Sequence, residues 1–553
     1  MRLRITTAGS KEKLLLPVAL IMAFALCLAR VGAAEPPFKL REGFVPYQNH
    51  SGPRQKESIA QFVGAGVCAL DYDLDGDWDL YFPDASAPDA SEATNLLFRN
   101  DGGLRFVDVT AQAGVGERGW AGGCAVADID NDGDPDLYIT NQGPNALFIN
   151  NGDGTFDRAG SDVGVEASGW STSAAFGDLD GDGWTDLYVC NYIDREQADL
   201  KARCNYFGIG VFCGPEGMPG EPDVLYRNEN GLKFTDETQA SGVLTPDTRG
   251  FGVLFTDLDG DFLPEIRVAN DATRDLLFKN RGRFRFDDVS LESGVAYASS
   301  GMEQSGMGST AGDFDRDGDQ DFYVTHFQRD YNTLFRNEGE LAFRDMTVAH
   351  GLVVPTLAYL GWGTHFIDVD NDAALDLFVA NGHIYSELEE HPEIEEPYRQ
   401  RNQLFLGDGA GGFTEVPASS HEPERVSRGT AVADLDGDGA VDLVVNNLDE
   451  APDLYHGQMK GRFIRFRLVG VESNRDGLGA VVTLSTGELR QRMELRLSDG
   501  FLGSNEPVLH FGLDQTDVVD EVIVAWPSGT TERFELLPAG KLYVVKEGSG
   551  WLP

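Results

Sequence analysis

One nine-residue pattern, D-x-D-x-D-G-x-x-D, recurs seven times with its acids in register, and it constrains this chain more than any other feature. Its clearest copy sets Asp178, Asp180, Asp182 and Asp186 around Gly183. The others carry Asp71, Asp73, Asp75 and Asp79; Asp128, Asp130, Asp132 and Asp136; Asp257, Asp259, Asp261 and Glu265; Asp313, Asp315, Asp317 and Asp321; Asp368, Asp370, Asp372 and Asp376; and Asp434, Asp436, Asp438 and Asp442. Four carboxylates on one tight loop repel each other unless a cation joins them. Calcium suits such a loop, since it accepts about six to eight oxygens in flexible geometry, whereas magnesium keeps its waters and rarely uses an all-protein cage. Glycine at the sixth position permits the sharp turn. An ordinary Asp/Gly turn explains one copy equally well, but not seven with the same acids. An EF-hand needs glutamate at the twelfth position between helices. Here that position is Phe82, Ile139 or Val189, inside an apolar run of strand character. The motif therefore reads as a calcium loop between strands, with up to seven ions; those beginning at Asp257 and Asp368 fit least well.

The loops begin 50 to 79 residues apart, a period that signals a solenoid or a propeller. A second motif follows most of them, as in Asn95–Asn100, Asn145–Asn150 and Asn332–Asn337. Then come a Gly-rich turn and a strand such as Phe106–Thr110. Short alternating strands with such turns predict a four-stranded antiparallel unit. Seven of these arranged radially make a β-propeller, so the fold class is all-β: a seven-bladed propeller over residues 35–460 and a small β-rich domain over 461–553. The seventh unit lacks its last strand, and Phe38–Phe44 is the candidate to supply it.

The formal net charge of −47 excludes nucleic acid as a partner, because phosphate binding needs basic patches. Arg2, Arg4, Lys11 and Lys13 precede the apolar stretch from Leu14 to Ala29, followed by Gly32, Ala33 and Ala34. This predicts a signal peptide over residues 1–34, export and no membrane span in the mature chain. Five cysteines remain after cleavage. Cys204 and Cys213, in the Gly/Pro-rich insertion 190–222, are expected to pair, as an exported protein permits. Cys68 and Cys124, in apolar strands, read as buried thiols. A second insertion, 384–400, is rich in glutamate and reads either as a solvated acidic loop or as an ordered loop that carries function. His383 reads as a structural histidine beside a turn, with a ligand or catalytic base as its alternative role.

On these loops and the strands between them, residues 36–460 resemble the FG-GAP/VCBS repeat propellers, the family that includes the integrin α-subunit head. Two copies depart from the pattern: Phe262 and Ala373 stand where glycine is expected, and a non-glycine residue in a left-handed turn carries strain. After residue 460 the charge nearly balances, with ten basic and thirteen acidic residues. Ser473–Ala480, Gly500–Leu502, His510–Leu513 and Trp526–Gly529 resemble an ASPIC/UnbV domain. Propeller and tail together are the layout of the cartilage acidic protein 1-like family, which implies a secreted calcium-binding protein. The favoured function is a binding or adhesion module for protein or glycan partners, with calcium mainly structural. Two alternatives stand beside it. One is an enzyme with its site in the channel or the inserts, for which no hydrolase, zincin or P-loop motif is present. The other is a lectin using Trp78, Trp120, Trp170, Trp184 or Trp362.

Overall fold

The structure, a computed structural model, describes residues 35–86 and 94–552; the expected signal peptide lies outside the described residues. Residues 37–553 form one compact unit. Among the described residues, seven four-stranded antiparallel sheets repeat one connection, in which the acidic loop joins the innermost strand to the second. Blade one uses Cys68–Leu70, Asp79–Phe82, Leu96–Asn100 and Phe106–Asp108; blade three uses Ser171–Gly177, Asp186–Asn191, Val224–Asn228 and Phe234–Asp236. Inner strands neighbour one another in chain order, and Ser427–Ala433 of blade seven returns to Cys68–Leu70. Phe38–Glu42 is the outer strand of blade seven, antiparallel to Asp453–Gly457 with Leu40 opposite Tyr455. One sheet thus holds both ends of the ring, and a closed ring leaves only short edges.

The second strand of each blade is buried along its length, as in Asp186–Asn191. Both of its faces meet an adjacent blade, which is why it reads as a continuous apolar run rather than an alternation. Each blade–blade interface has its own core. Tyr81 and Leu97 meet Leu137 and Ile139 between blades one and two, and Leu80 and Phe98 meet Val444 and Leu454 between blades one and seven. The asparagine ending the third strand ties blades together. Asn150 Nδ2 donates to the Tyr72 carbonyl of the preceding blade's loop at 2.9 Å, and Asn228 Nδ2 reaches Ile129 O at 3.0 Å. The repeated Asn-x-x-x-x-Asn motif is therefore an inter-blade staple.

Cys68 and Cys124, expected as separate thiols, form a disulfide with their Cα atoms 6.1 Å apart. They are 56 residues apart, close to one blade repeat, so they stand on adjacent inner strands. Cys190 is buried and unpaired. Cys204–Cys213 bridges the hairpin of Arg203–Tyr206 and Ile209–Phe212. Replacing both Cys68 and Cys124 by alanine is expected to lower the unfolding free energy by about 4 kcal/mol, from closure of a loop of roughly 56 residues. Guanidinium titration checks this; a loss below about 1 kcal/mol would show the bridge to be dispensable.

The insertions pack together across the channel. Arg203 pairs with the buried Glu387 at 3.3 Å, and Arg329 pairs with the buried Glu396. The 384–400 insertion is thus partly a packed element, because its acids find guanidinium partners. Phe62, Tyr192, Phe212, Trp362, Tyr385 and Phe501 share one buried cluster. Phe501 belongs to the C-terminal region and enters from the side bearing the acidic loops. Its ring lies 5.8 Å from that of Phe251 and 5.2 Å from that of Trp362. Gly500 exchanges two backbone hydrogen bonds with Ser309, at 3.1 and 2.8 Å, and the Leu502 carbonyl accepts from Cys124 N at 3.2 Å. A Cβ on Gly66 would stand 1.7 Å from that carbonyl oxygen, so only glycine fits there.

The C-terminal region forms two four-stranded sheets. Arg462–Val469 lies between Val508–Asp514 and the parallel Lys541–Lys546, and Val481–Thr486 lies between Leu489–Glu494 and Val518–Ala525. They enclose Phe466, Val482, Phe511, Val524 and Trp526.

Candidate metal centres

Each acidic loop makes two left-handed turns. At the sixth position, Gly76, Gly133, Gly183, Gly318 and Gly439 have φ between 87° and 107°, and Phe262 and Ala373 follow them at 64° and 74°. The two departures from glycine therefore sit in the left-handed conformation. Phe262 is 38 % exposed and packs little. Phe262→Gly is expected to stabilise the fold by about 1 kcal/mol, the usual left-handed penalty; an unchanged urea midpoint would overturn this. The fourth position is left-handed as well, with Leu74, Asn131, Arg316 and Asn371 at φ 58° to 60°. The sequence reading missed this, although glycine or asparagine fills the fourth position in five of seven copies.

These turns aim backbone N–H groups at the first carboxylate. Asp128 accepts from Asp132 N at 3.0 Å and Gly133 N at 2.7 Å, and Asp178 accepts from Asp182 N at 3.2 Å and Gly183 N at 2.9 Å. The ninth-position acid is held by the backbone on either side. Asp136 accepts from Ile129 N at 3.0 Å and Asn150 N at 2.8 Å. Glu265 uses its longer arm to accept from Leu258 N at 2.9 Å. The first, third and ninth acids converge: Asp71, Asp73 and Asp79; Asp128, Asp130 and Asp136; Asp178, Asp180 and Asp186; and Asp257, Asp259 and Glu265 each bring one ligand atom apiece within 4.8 Å of one another. The fifth-position acids are not in these four groups. They turn back on the loop, Asp75 accepting from Asp77 N at 2.9 Å and Asp132 from Asp134 N at 3.1 Å.

In every loop one oxygen of the third acid is buried without a hydrogen-bond partner: Oδ1 of Asp73, Asp130, Asp180, Asp259, Asp315, Asp370 and Asp436. A buried, unpaired charge is costly. Burial, the largest cause, pushes the Asp79 and Asp128 carboxyls up to about 8 and Asp136, Glu265 and Asp321 up to about 9. A dication at the convergence point satisfies these oxygens and keeps the acids ionised. The donor set therefore fits a metal ion, and several of these clusters can hold one. In blades three and four part of the charge is already met, since Arg227 donates to Asp180 at 2.8 Å and Lys279 pairs with Asp259.

The C-terminal region lies on these loops, which the sequence did not show. Asp128 N donates to Asp476 Oδ2 at 2.8 Å, and Arg475 N donates to Asn131 Oδ1 at 2.8 Å. Thr256 donates to Glu494 at 2.6 Å. His510 Nε2 faces Asn371 Oδ1 at 2.6 Å, and the Arg465 guanidinium donates to Asp434 at 2.5 Å. The residues that carried the tail's resemblance thus include docking contacts as well as core positions. His383 is fully buried, accepts from Tyr385 N at 3.1 Å and is lowered to about 3 chiefly by burial. A neutral, enclosed ring is a structural histidine. Trp78, Trp170 and Trp362 are buried, so packing explains them, and the channel is filled by the Phe62–Phe501 cluster.

The sequence matches the FG-GAP-like repeat over residues 71–139, 128–189, 257–324 and 313–379, and the ASPIC and UnbV family over 470–550. It is 26 % identical to cartilage acidic protein 1 of Xenopus tropicalis over 57 % of this chain and 47 % of that protein. Against the Homo sapiens protein it is 27 % identical over 57 % and 46 %. The chain thus spans about half the length of these curated relatives. Among solved structures, YCF48 from Cyanidioschyzon merolae aligns with a TM-score of 0.41 at 11 % identity, covering 75 % of this chain and 98 % of its own. An Agrocybe aegerita lectin that recognises non-reducing terminal N-acetylglucosamine aligns at 0.38 and 15 %, covering 69 % and 88 %. At these scores the likeness says nothing about ligands. The chain is a homologue of cartilage acidic protein 1 that joins an FG-GAP-repeat β-propeller to an ASPIC/UnbV domain.

Proposed function

We propose that this protein is an exported, calcium-stiffened propeller that presents its surface to a protein or glycan partner. The observation that carries the calcium reading is the buried, partnerless third-position oxygen repeated in all seven loops. Calcium fits because the convergent donors of the first four loops are all carboxylate oxygens, the hard ligands it prefers. The two disulfides support an oxidising compartment. Among the described residues no helix is long and apolar enough to cross a membrane. A binding role is favoured over a channel enzyme because Phe62 and Phe501 fill the channel that a substrate would enter. What remains for a partner is the outer rim and the disulfide-stapled insert, where Phe207 is 56 % exposed beneath the Arg329 guanidinium, 4.3 Å from its ring centre.

Equilibrium dialysis of the metal-stripped protein against calcium tests the first part. Five or more retained ions are expected, and none or one would overturn it. Glycan and extracellular-protein arrays probed in calcium and in chelator test the second. A partner retained only in calcium is the expected result, and hydrolysis of an arrayed glycan would return the enzyme reading.

A further inference from the structure

The seventh loop differs from the others in its chemistry. The convergent groups of the first four loops contain only carboxylates, whereas that of the seventh contains Asp436, Asp442 and His456, one ligand atom from each lying within 4.8 Å of the others. His456 Nε2 faces the loop, 3.0 Å from Asp436 Oδ2, and its side chain is only 13 % exposed. Asp442 is held rigidly, one oxygen accepting from Leu435 N at 2.9 Å and the other from Gly457 N at 2.8 Å. Asp434, which opens the loop, gives Oδ2 to the buried Arg465 guanidinium and to Gly439 N at 3.0 Å. Its side chain is 2 % exposed, and its Oδ1, like that of Asp436, is buried without a partner.

We propose that this loop binds a zinc-class transition-metal dication rather than calcium, through His456 Nε2, Asp436 and Asp442. The inference rests on the reading of the loops as metal sites. Calcium is a hard ion that prefers an all-oxygen cage. Imidazole nitrogen suits zinc and its first-row neighbours, which are content with about three protein ligands and one further position. The Arg465 guanidinium removes part of the negative charge on which calcium depends. The backbone hydrogen bonds to Asp442 are the kind of outer support that orients a metal ligand.

His456 stands in its blade where Arg99, Arg227, Lys279 and Arg336 stand in theirs, so a plain ion pair with Asp436 is the competing role. His456→Arg separates the two, because it keeps the ion pair and removes the ligand. Full-length protein stripped of metal is re-equilibrated with excess calcium and one equivalent of zinc, desalted, and both metals are counted by mass spectrometry. Cobalt in place of zinc adds a visible d–d spectrum. We expect the wild type to retain one zinc beside its calcium. In His456→Arg zinc affinity is expected to fall about a hundredfold or more, beyond what loss of an outer-shell support costs, with the calcium count and the melting curve in calcium unchanged. Calcium retained without zinc, or zinc retained equally by His456→Arg, would overturn this inference alone. Retention of neither metal would overturn the loop reading with it.

Discussion

Removing bound metal with a chelator is expected to lower the thermal midpoint of this protein by at least about 10 °C. Each site that binds only the folded state adds about 2.7 kcal/mol at a hundredfold excess of ion. Five such sites acting on one closed ring together add about 13 kcal/mol, comparable to the roughly 5–15 kcal/mol by which folded domains are usually stable. The loss should be cooperative, since each loop also abuts its neighbours: Asn150 reaches the blade-one loop and Asn228 the blade-two loop. Differential scanning calorimetry in calcium and in chelator measures it, and a shift under about 2 °C would reduce the loops to plain turns.

The pH response of the metal-free protein follows from the same burial. Asp79 is pushed up to about 8 and Asp136 to about 9 in the fold, against about 3.9 in an unfolded chain. A raised folded value means that protonation favours the fold. That contribution is complete below about pH 4 and is lost as pH rises through 8 to 9. Metal-free protein is therefore expected to melt higher at about pH 5 than at about pH 9. Calcium reverses the order, because protons compete with it for the same carboxylates. A metal-free midpoint that rises between those two pH values would contradict the burial of these acids.

Phe501→Ala is the substitution expected to be most disruptive outside the loops, at about 3–5 kcal/mol, the usual range for a buried phenylalanine. Its side chain is 1 % exposed and packs on Phe251 and Trp362, so truncation leaves a cavity in the middle of that aromatic cluster. The loss should appear as weakened docking of the C-terminal region as well as lower global stability. Limited proteolysis between residues 457 and 462 reads out docking, and guanidinium titration reads out stability. Unchanged cleavage together with a loss under about 1 kcal/mol would show that the channel segment does not hold the two regions together.

The repeat was legible because its chemistry is local. Seven sets of acids at fixed offsets, each before an apolar run, identify loop, strand and period from nine residues at a time, and the unfinished seventh blade pointed to Phe38–Phe44, of which Phe38–Glu42 is the strand. The left-handed sixth position was legible too, even at Phe262 and Ala373, since the turn is set by the loop rather than by the residue filling it. Local pattern does not tell which residues become neighbours around a ring. The Cys68–Cys124 bridge joins equivalent positions of successive blades, so it follows from radial stacking and not from any motif. The contacts Asp476–Asp128, Arg465–Asp434 and Phe501–Trp362 join segments far apart in the chain, and only docking of the C-terminal sheets on the loop face creates them. The sequence alone determined the repeating unit, because hydrogen bonding and side-chain periodicity act over a few residues; the closed ring decided which of its buried acids, aromatics and cysteines face one another, because burial is a property of the whole assembly of blades.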